Sequence, residues 1–358
     1  MYKRQVQDTI PYEHVHGKYI FEVEKNRYSV TYSFSDVTYD AADAAEQERI
    51  FLAYGDLLNS FDTSDDIQIT LHNNVINQKE FSSQILLKHA GDGFDEYRDE
   101  YNEMLLDKMQ QGQNGITTKK YFTVTVTAAT LELAQQKLAA KELYMRSCFQ
   151  KIGSNIEKLK ANERIRIIAE IFRGVNQEIR PISSSEFLRG AEKSLCCPDY
   201  FEFKKDYFMY NDKFARMVYL KHLPSSLVDD MLKDLCETSL PIVVTVNIAP
   251  VEPSEAIKVV KRQLTAMRSN KMQKEKKASQ HGVYSDVISD DLKQSLAEAE
   301  ELLNDLQSKN QKMFLLNLVV MVTGTSFDEL DNNTDKIEAV FRKHVCTTSR
   351  ANFQPVSY

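Results

Sequence analysis

The hydrophobic period of this chain switches between two and about 3.6 residues in an order that occurs twice, and this restricts it to a fold mixing antiparallel hairpins with amphipathic helices. Segments 19–24 (YIFEVE) and 27–34 (RYSVTYSF) alternate on either side of Lys25-Asn26, which predicts a β-hairpin with Tyr28, Val30, Tyr32 and Phe34 on one face. Across 41–61 the period lengthens. Ile50, Phe51, Tyr54, Leu57, Leu58 and Phe61 fall on one side of a helix that lies across a sheet. A strand at 66–73 (DIQITLHN) follows. Asp92 then caps an acidic helix reaching 109, with Phe94, Tyr97, Tyr101 and Leu105 as its buried stripe. The Gly- and Asn-containing stretch 110–118 breaks that helix. A strand at 120–128 leads through Thr130, an N-cap, into a helix with Leu131, Ala134, Leu138, Met145 and Ile152 on one side.

The second half runs in the same order. Segment 206–210, the turn Asn211-Asp212 and segment 213–223 form a hairpin, and Ser225 or Ser226 opens a helix to Cys236. Strand 241–249 (PIVVTVNIA), a long helical stretch 253–308 and strand 312–322 (KMFLLNLVVMV) come next. Ser326 and Glu329 form a capping box for a last helix carrying Leu330, Ile337, Val340 and Phe341. NEMLLDKM before KKYFTVTV corresponds locally to AEELLNDLQ before QKMFLLNLVV. The expected fold is therefore α+β. It comprises two similar lobes of antiparallel or mixed sheet with helices packed on one face, plus a protruding long helical hairpin. Two unrelated α+β lobes would give the same outline, so the order alone leaves duplication open. The lobes are placed at 1–152 and 201–358, the latter with the hairpin 253–308. A helical connector and linker lies at 153–200, where Pro181, three serines and Cys196-Cys197-Pro198 interrupt the pattern.

With 358 residues, 42% of them apolar, the chain can bury a large core without disulfides or metals. The net charge of -7 argues against nucleic-acid binding by bulk electrostatics, so direct DNA binding is not expected. The five cysteines, Cys148, Cys196, Cys197, Cys236 and Cys346, contain no C-x-x-C pair and suit free thiols in a reducing compartment. The longest apolar run, 313–322, is about half the length of a membrane span.

The motifs of catalysis are missing. Gly17-Lys18 is the sole Gly-Lys pair and has Tyr12 where a phosphate-cradling P-loop needs its first glycine. No G-x-S-x-G, HExxH or strand-following G-x-G-x-x-G occurs, so no enzymatic activity, cofactor or catalytic residue is assigned to this chain. His14 and His16 have the spacing to chelate a metal from a strand or loop, but no acidic or Cys partner is expected to complete a site with them, and isolated histidines are more often structural. Cys196-Cys197 reads as redox-active or, more ordinarily, as buried thiols. The aromatic strands do not have the pattern of a base-stacking sheet, because Tyr28, Tyr32 and Phe34 alternate with Ser29, Thr31 and Ser33 as a core face does.

The strongest positive signal is charge. Within 258–277 Lys258, Lys261, Arg262, Arg268, Lys271, Lys274, Lys276 and Lys277 face a single acid, Glu275. From 286 to 305 the sign reverses, with Asp286, Asp290, Asp291, Glu298, Glu300, Glu301 and Asp305 against Lys293. Leu292, Leu296, Ala299, Leu303 and Leu306 form a coiled-coil seam that Ile257, Val260, Leu264 and Met267 match, with a turn at His281-Gly282. In one reading the charges solvate and pair across this antiparallel hairpin, each exposed pair contributing about 0–1 kcal/mol. In the other, the seam fades after Met267 while the basic run continues, so the tip presents uncompensated Lys and Arg to an acidic partner or an anionic membrane.

Segments 248–278 (IAPVEPSEAIKVVKRQLTAMRSNKMQKEKKA) and 292–315 (LKQSLAEAEELLNDLQSKNQKMFL) resemble the conjugation ATPases of type IV secretion systems. The nearest type is the CagE/TrbE/VirB family of integrative conjugative elements. QDTIPYE (7–13), FSDVTYDAA (34–42), DEYNEMLLDKM (99–109) and ANFQPVSY (351–358) look similar too, so the likeness covers nearly the whole chain. The resemblance implies the N-terminal domain of a cytoplasmic, membrane-docked motor. The RecA-like half, with ATP and Mg, is expected beyond Tyr358. The implied partners are inner-membrane components and other secretion ATPase subunits, with homo-oligomers in the full-length protein. The alternative is a free-standing adaptor or nucleic-acid-binding protein of the same machinery. On either reading the purified chain is expected neither to bind nor to hydrolyse ATP, and a nucleotide-turnover assay checks this.

Overall fold

A computed structural model describes residues 6–75, 86–110, 116–174, 182, 192–224, 230–280, 290–308 and 311–353. The side chains of 75, 108–110, 277–280, 290 and 291 are excepted. The first half runs β1 (His14–His16), β2 (Ile20–Glu24), β3 (Arg27–Phe34), α1 (Ala44–Asn59), β4 (Asp65–Val75), α2 (Asp95–Gln110), β5 (Ile116–Thr127), α3 (Leu131–Ile152) and β6 (Ile156–Lys158). After α4 (Ala161–Arg173) and α5 (Lys193–Cys196), the second half runs β7 (Phe201–Phe203), β8 (Phe208–Tyr210), β9 (Lys213–His222), α6 (Met231–Cys236) and β10 (Ile242–Pro250). It continues with α7 (Pro253–Gln280), α8 (Asp290–Ser308), β11 (Phe314–Gly324), α9 (Phe327–Lys343) and β12 (Thr347–Arg350).

The protein is α+β. Its described strands form one twelve-stranded sheet in the order β1-β2-β3-β5-β4-β10-β11-β9-β8-β7, with β6 on β3 and β12 on β9, and all pairings are antiparallel. Read outward from its centre, this order is the same on both sides: β4 answers β10, β5 answers β11, β3 answers β9, and β6 answers β12. Side-chain register follows. Phe122, Val124 and Val126 of β5 are buried, as are Leu318, Val320 and Val322 of β11. The halves join through β4 and β10, where Leu71 pairs with Val244, Ile69 with Val246 and Ile67 with Ile248, which places a local twofold at the Ile69–Val246 pair. The two lobes read from the sequence therefore share one sheet.

The local signals behave as the residue types require. Asn26 (φ 65°) and Asn211 (φ 47°) take the left-handed conformation at the two hairpin turns, which Asn tolerates better than most residues. Thr130 and Ser326 cap α3 and α9 by accepting from the backbone N–H of Leu133 and Glu329. In α9 the box is opened differently from the usual form, since Glu329 accepts from the Thr325 backbone N–H at 2.8 Å. The continuous core packs Ile50, Ala53 and Leu57 of α1, Ala134, Leu138 and Met145 of α3, Met231 and Leu235 of α6, and Leu330, Ile337 and Phe341 of α9 on one sheet face.

Helices do not keep to that face alone. The connector helix α4 crosses the other side: Arg164 donates to the Ser29 Oγ at 2.9 Å, Lys119 meets Glu170, and the Ile171 and Phe172 carbonyls accept from Tyr210 and Asn211 of the second half. Ile165 and Ala169 of α4 pack with Tyr12, Phe21, Cys196 and Cys197 in a second apolar cluster. Another interior charge sits in the second half. Arg216, 1% exposed at the place Tyr28 holds in the first half, donates to Asp331 at 2.6 Å and to Thr334 at 3.2 Å, tying β9 to α9.

Two predicted apolar faces are corrected. On α1, Phe51 is 66% exposed and Ala53 takes its place in the core; Phe61 is buried but lies beyond the helix. On α2, Phe94 precedes the first turn, Phe94, Tyr97 and Tyr101 are 61%, 68% and 47% exposed, and Leu105 is half-buried. The sheet face of this half is packed by α1 and α3, and the α2 stripe is not part of that core. The turn proposed at His281-Gly282 lies outside the described residues, as do Ser225 and Ser226 themselves; the helix that ends at Cys236 starts at Met231, later than expected.

One glycine marks a close approach found in the second half alone. A Cβ on Gly324 would stand 2.6 Å from the Leu330 backbone nitrogen, whereas the equivalent place in the first half holds Ala128. Gly324→Ala is expected to push α9 off β11 and destabilise the protein by about 1–3 kcal/mol, read as a lower urea midpoint.

Candidate docking surface

The arm made by α7 and α8 grows from the paired residues Pro250 and Phe314, where β10 ends and β11 begins. Pro253 fits the first turn, where its missing N–H goes unused, and the Glu252 carboxylate accepts from the Glu255 backbone N–H at 3.0 Å. At 28 residues α7 is about 42 Å long. Its inner stripe of Ala256, Val260 and Leu264, with Ile257 and Met267 partly buried, packs on Leu292, Leu296, Ala299, Leu303 and Leu306 of α8. The seam forms the antiparallel pair that the sequence predicts. After Met267 the next inward position is Lys271, half-buried, and the apolar contact stops there.

The structure places the predicted basic residues unequally. Arg268 pairs with Glu300 of α8 at 2.7 Å, and Lys258 pairs with Glu255 on its own helix at 2.7 Å. Among the described residues Lys261, Arg262, Lys271, Lys274 and Lys276 have no ion pair. Lys261, Arg262, Lys274 and Lys276 are exposed, as is Met272 at 68%. The Lys277 side chain lies outside the described residues. Among the described side chains cross-pairing thus accounts for one basic residue of the run, and most of their positive charge faces solvent. The acids of α8 are used elsewhere in part, Glu298 accepting from Gln294 at 2.8 Å.

The other candidates of the sequence resolve into structural roles. His16 sits 2.8 Å from Glu22 across the β1–β2 ladder, an acidic partner that the sequence reading did not expect. No group of three or more metal-ligating side chains occurs among the described residues. Cys196 and Cys197 are buried free thiols, and burial pushes the Cys196 thiol up to about 12, far from the thiolate that redox exchange needs. Burial likewise raises the Glu192 carboxyl beside Tyr12 and Cys196.

Clefts accompany the sheet. One of about 720 Å³ lies between the loop after β3 and α6, and its charges pair internally, Asp36 with Lys120 and Asp40 with Lys233. Another, of about 530 Å³, opens on the α4 side between Arg27, Arg164, Thr125, Asn247 and the exposed Leu315 and Leu316. Arg27 is engaged there by Asp66, and Arg164 is held over the Phe21 ring at 4.3 Å.

Sequence reading missed one surface. Phe94, Tyr97, Tyr101 and Met104 line one side of α2 in the open, and its six acids outnumber its two basic residues. The signal was present as an amphipathic stripe, but a stripe does not say what covers it. No protein-family model matches the chain, and no curated protein matches it. Among the described residues no helix is long and apolar enough to cross a membrane.

Proposed function

We propose that this chain is the docking and assembly domain of a conjugative type IV secretion ATPase, joining the motor to the inner-membrane complex through its surfaces. The observation that carries the reading is the α7–α8 arm, a paired rod anchored at the sheet with Lys261, Arg262, Lys271, Lys274 and Lys276 without an ion pair among the described residues. The strings that resemble the secretion ATPases, 248–278 and 292–315, are the strings that build this arm. A rod of this kind positions cations for an acidic partner surface at the cytoplasmic face of the membrane, where each basic residue contributes about 1 kcal/mol near anionic lipid.

The test is a pull-down of the chain against the inner-membrane components, run beside sedimentation with phosphatidylserine-containing vesicles. Replacing Lys271, Lys274, Lys276 and Lys277 by Glu is expected to abolish capture in at least one of the two assays while leaving the unfolding midpoint in place. Equal capture of the native and charge-reversed chains in both would remove the arm as the docking element.

A further inference from the structure

The arm's position in the internal repeat identifies a partner for it. In the second half the segment between β10 and β11 is a helix pair, α7 with α8 laid along its apolar stripe. The equivalent segment of the first half, between β4 and β5, has α2 without a second helix among the described residues. Its stripe of Phe94, Tyr97, Tyr101 and Met104 stays exposed. Beside that stripe run Glu96, Glu100, Glu103 and Asp107 at helical spacing, none with an ion pair among the described residues. Asp95 and Asp99 are satisfied locally, by Arg98 and His89. The uncovered side of α2 is therefore aromatic and acidic together.

The outer side of α7 is its complement. From Lys261 to Lys276 it carries unpaired cations around the exposed Met272, over the same 16 residues, about 24 Å, that α2 spans. The two surfaces are anchored apart within one chain. Val75 and Ile116, which bracket α2, pair with each other at one end of the sheet, and Pro250 and Phe314, which bracket the arm, pair at the opposite end. The antiparallel β4–β10 junction imposes this separation.

We propose that α2 of one copy of this chain docks along the outer basic face of α7 of a second copy. The contact is heterologous, each copy offering α2 at one end and α7 at the other, so it builds a head-to-tail ring or row. It rests on reading the arm as a docking element and names that element's acidic partner as a second copy of the chain. Aromatic and Met side chains supply the apolar contact, and the flanking charges set register and orientation.

Analytical ultracentrifugation of the whole chain over a concentration series, at low and high salt, tests it with two variants. One reverses α2 (Glu96→Lys, Glu100→Lys, Glu103→Lys); the other reverses α7 (Lys261→Glu, Arg262→Glu, Lys276→Glu). Circular dichroism melts confirm that each variant folds. The native chain is expected to self-associate with an affinity that falls as salt rises, and each variant alone to sediment as a monomer. An equimolar mixture of the two variants is expected to recover association, because the acidic α2 of one then meets the basic α7 of the other. A native chain that stays monomeric throughout overturns the proposal, as does self-association surviving in either variant. Mixed variants that fail to recover overturn it as well; a symmetric α2–α2 or α7–α7 contact would instead survive in the variant whose contacting helix is unchanged. Vesicle and membrane-component binding by the α2-reversed variant separates the two readings. Binding retained alongside a monomeric native chain refutes self-docking and leaves the arm's role intact, whereas binding lost with the Lys271 to Lys277 reversal in neither assay refutes the arm's role itself.

Discussion

Phe122→Ala and Phe341→Ala, one in each half, are expected to shift the same single unfolding transition, each by about 3–5 kcal/mol. Phe122 is 1% exposed and touches Phe61 and Phe149, the latter edge-on with ring centres 5.6 Å apart; Phe341 is fully buried in α9. Truncating either ring leaves a void that surrounding strands cannot close, since their positions are fixed by ladders on both sides. The two effects should merge because the apolar cluster runs without a break from β3 to β9 through the β4–β10 junction. Urea denaturation followed by circular dichroism and by tyrosine fluorescence reads this directly. Two transitions, each moved by one substitution only, would mean that the halves fold independently and that β4–β10 pairing adds little.

Acid should weaken the protein through His72. This residue, 4% exposed on β4, is held neutral: burial, and then the neighbouring Lys119 and Lys213, lower its pKa to about 4. The unfolded chain takes up a proton near pH 6.5, which the folded state refuses, so the unfolded state binds more protons between those values and stability falls as pH drops through that window. The loss between pH 7 and pH 5 comes to about 2 kcal/mol. His72→Gln removes the titration, and its urea midpoint is expected to change less than that of the native chain over the same interval. Equal pH dependence in the two proteins would assign the effect to other groups.

The legible parts of this protein are those decided within a few residues. Asn26 and Asn211 announce turns because they accept a left-handed backbone, and Thr130 and Ser326 announce helix starts because a side-chain oxygen reaches the third N–H. The seam of α7 and α8 was readable for a related reason: its two stripes are near in sequence and match in spacing. The charge run was readable as charge but not as pairing, which places Arg268 on Glu300 across the seam. His16–Glu22 was missed although the two are six residues apart, because 14–16 was not read as a strand pairing with 20–24. Arg216 reads as a surface strand residue in KFARMVYLKHL, yet Asp331, over a hundred residues away, lets it be buried.

The amino-acid order by itself determined that two successive sets of strands and helices form, where most begin, and that the described arm carries a basic side and an acidic side. Periodicity and capping act over one or two turns and need no distant partner. Only the tertiary structure decided that the two sets share one sheet through β4 and β10, that α4 crosses its far face, and that the aromatic stripe of α2 stays uncovered. An apolar stripe fixes which side of a helix seeks cover, but the sheet's limited surface settles which helices receive it.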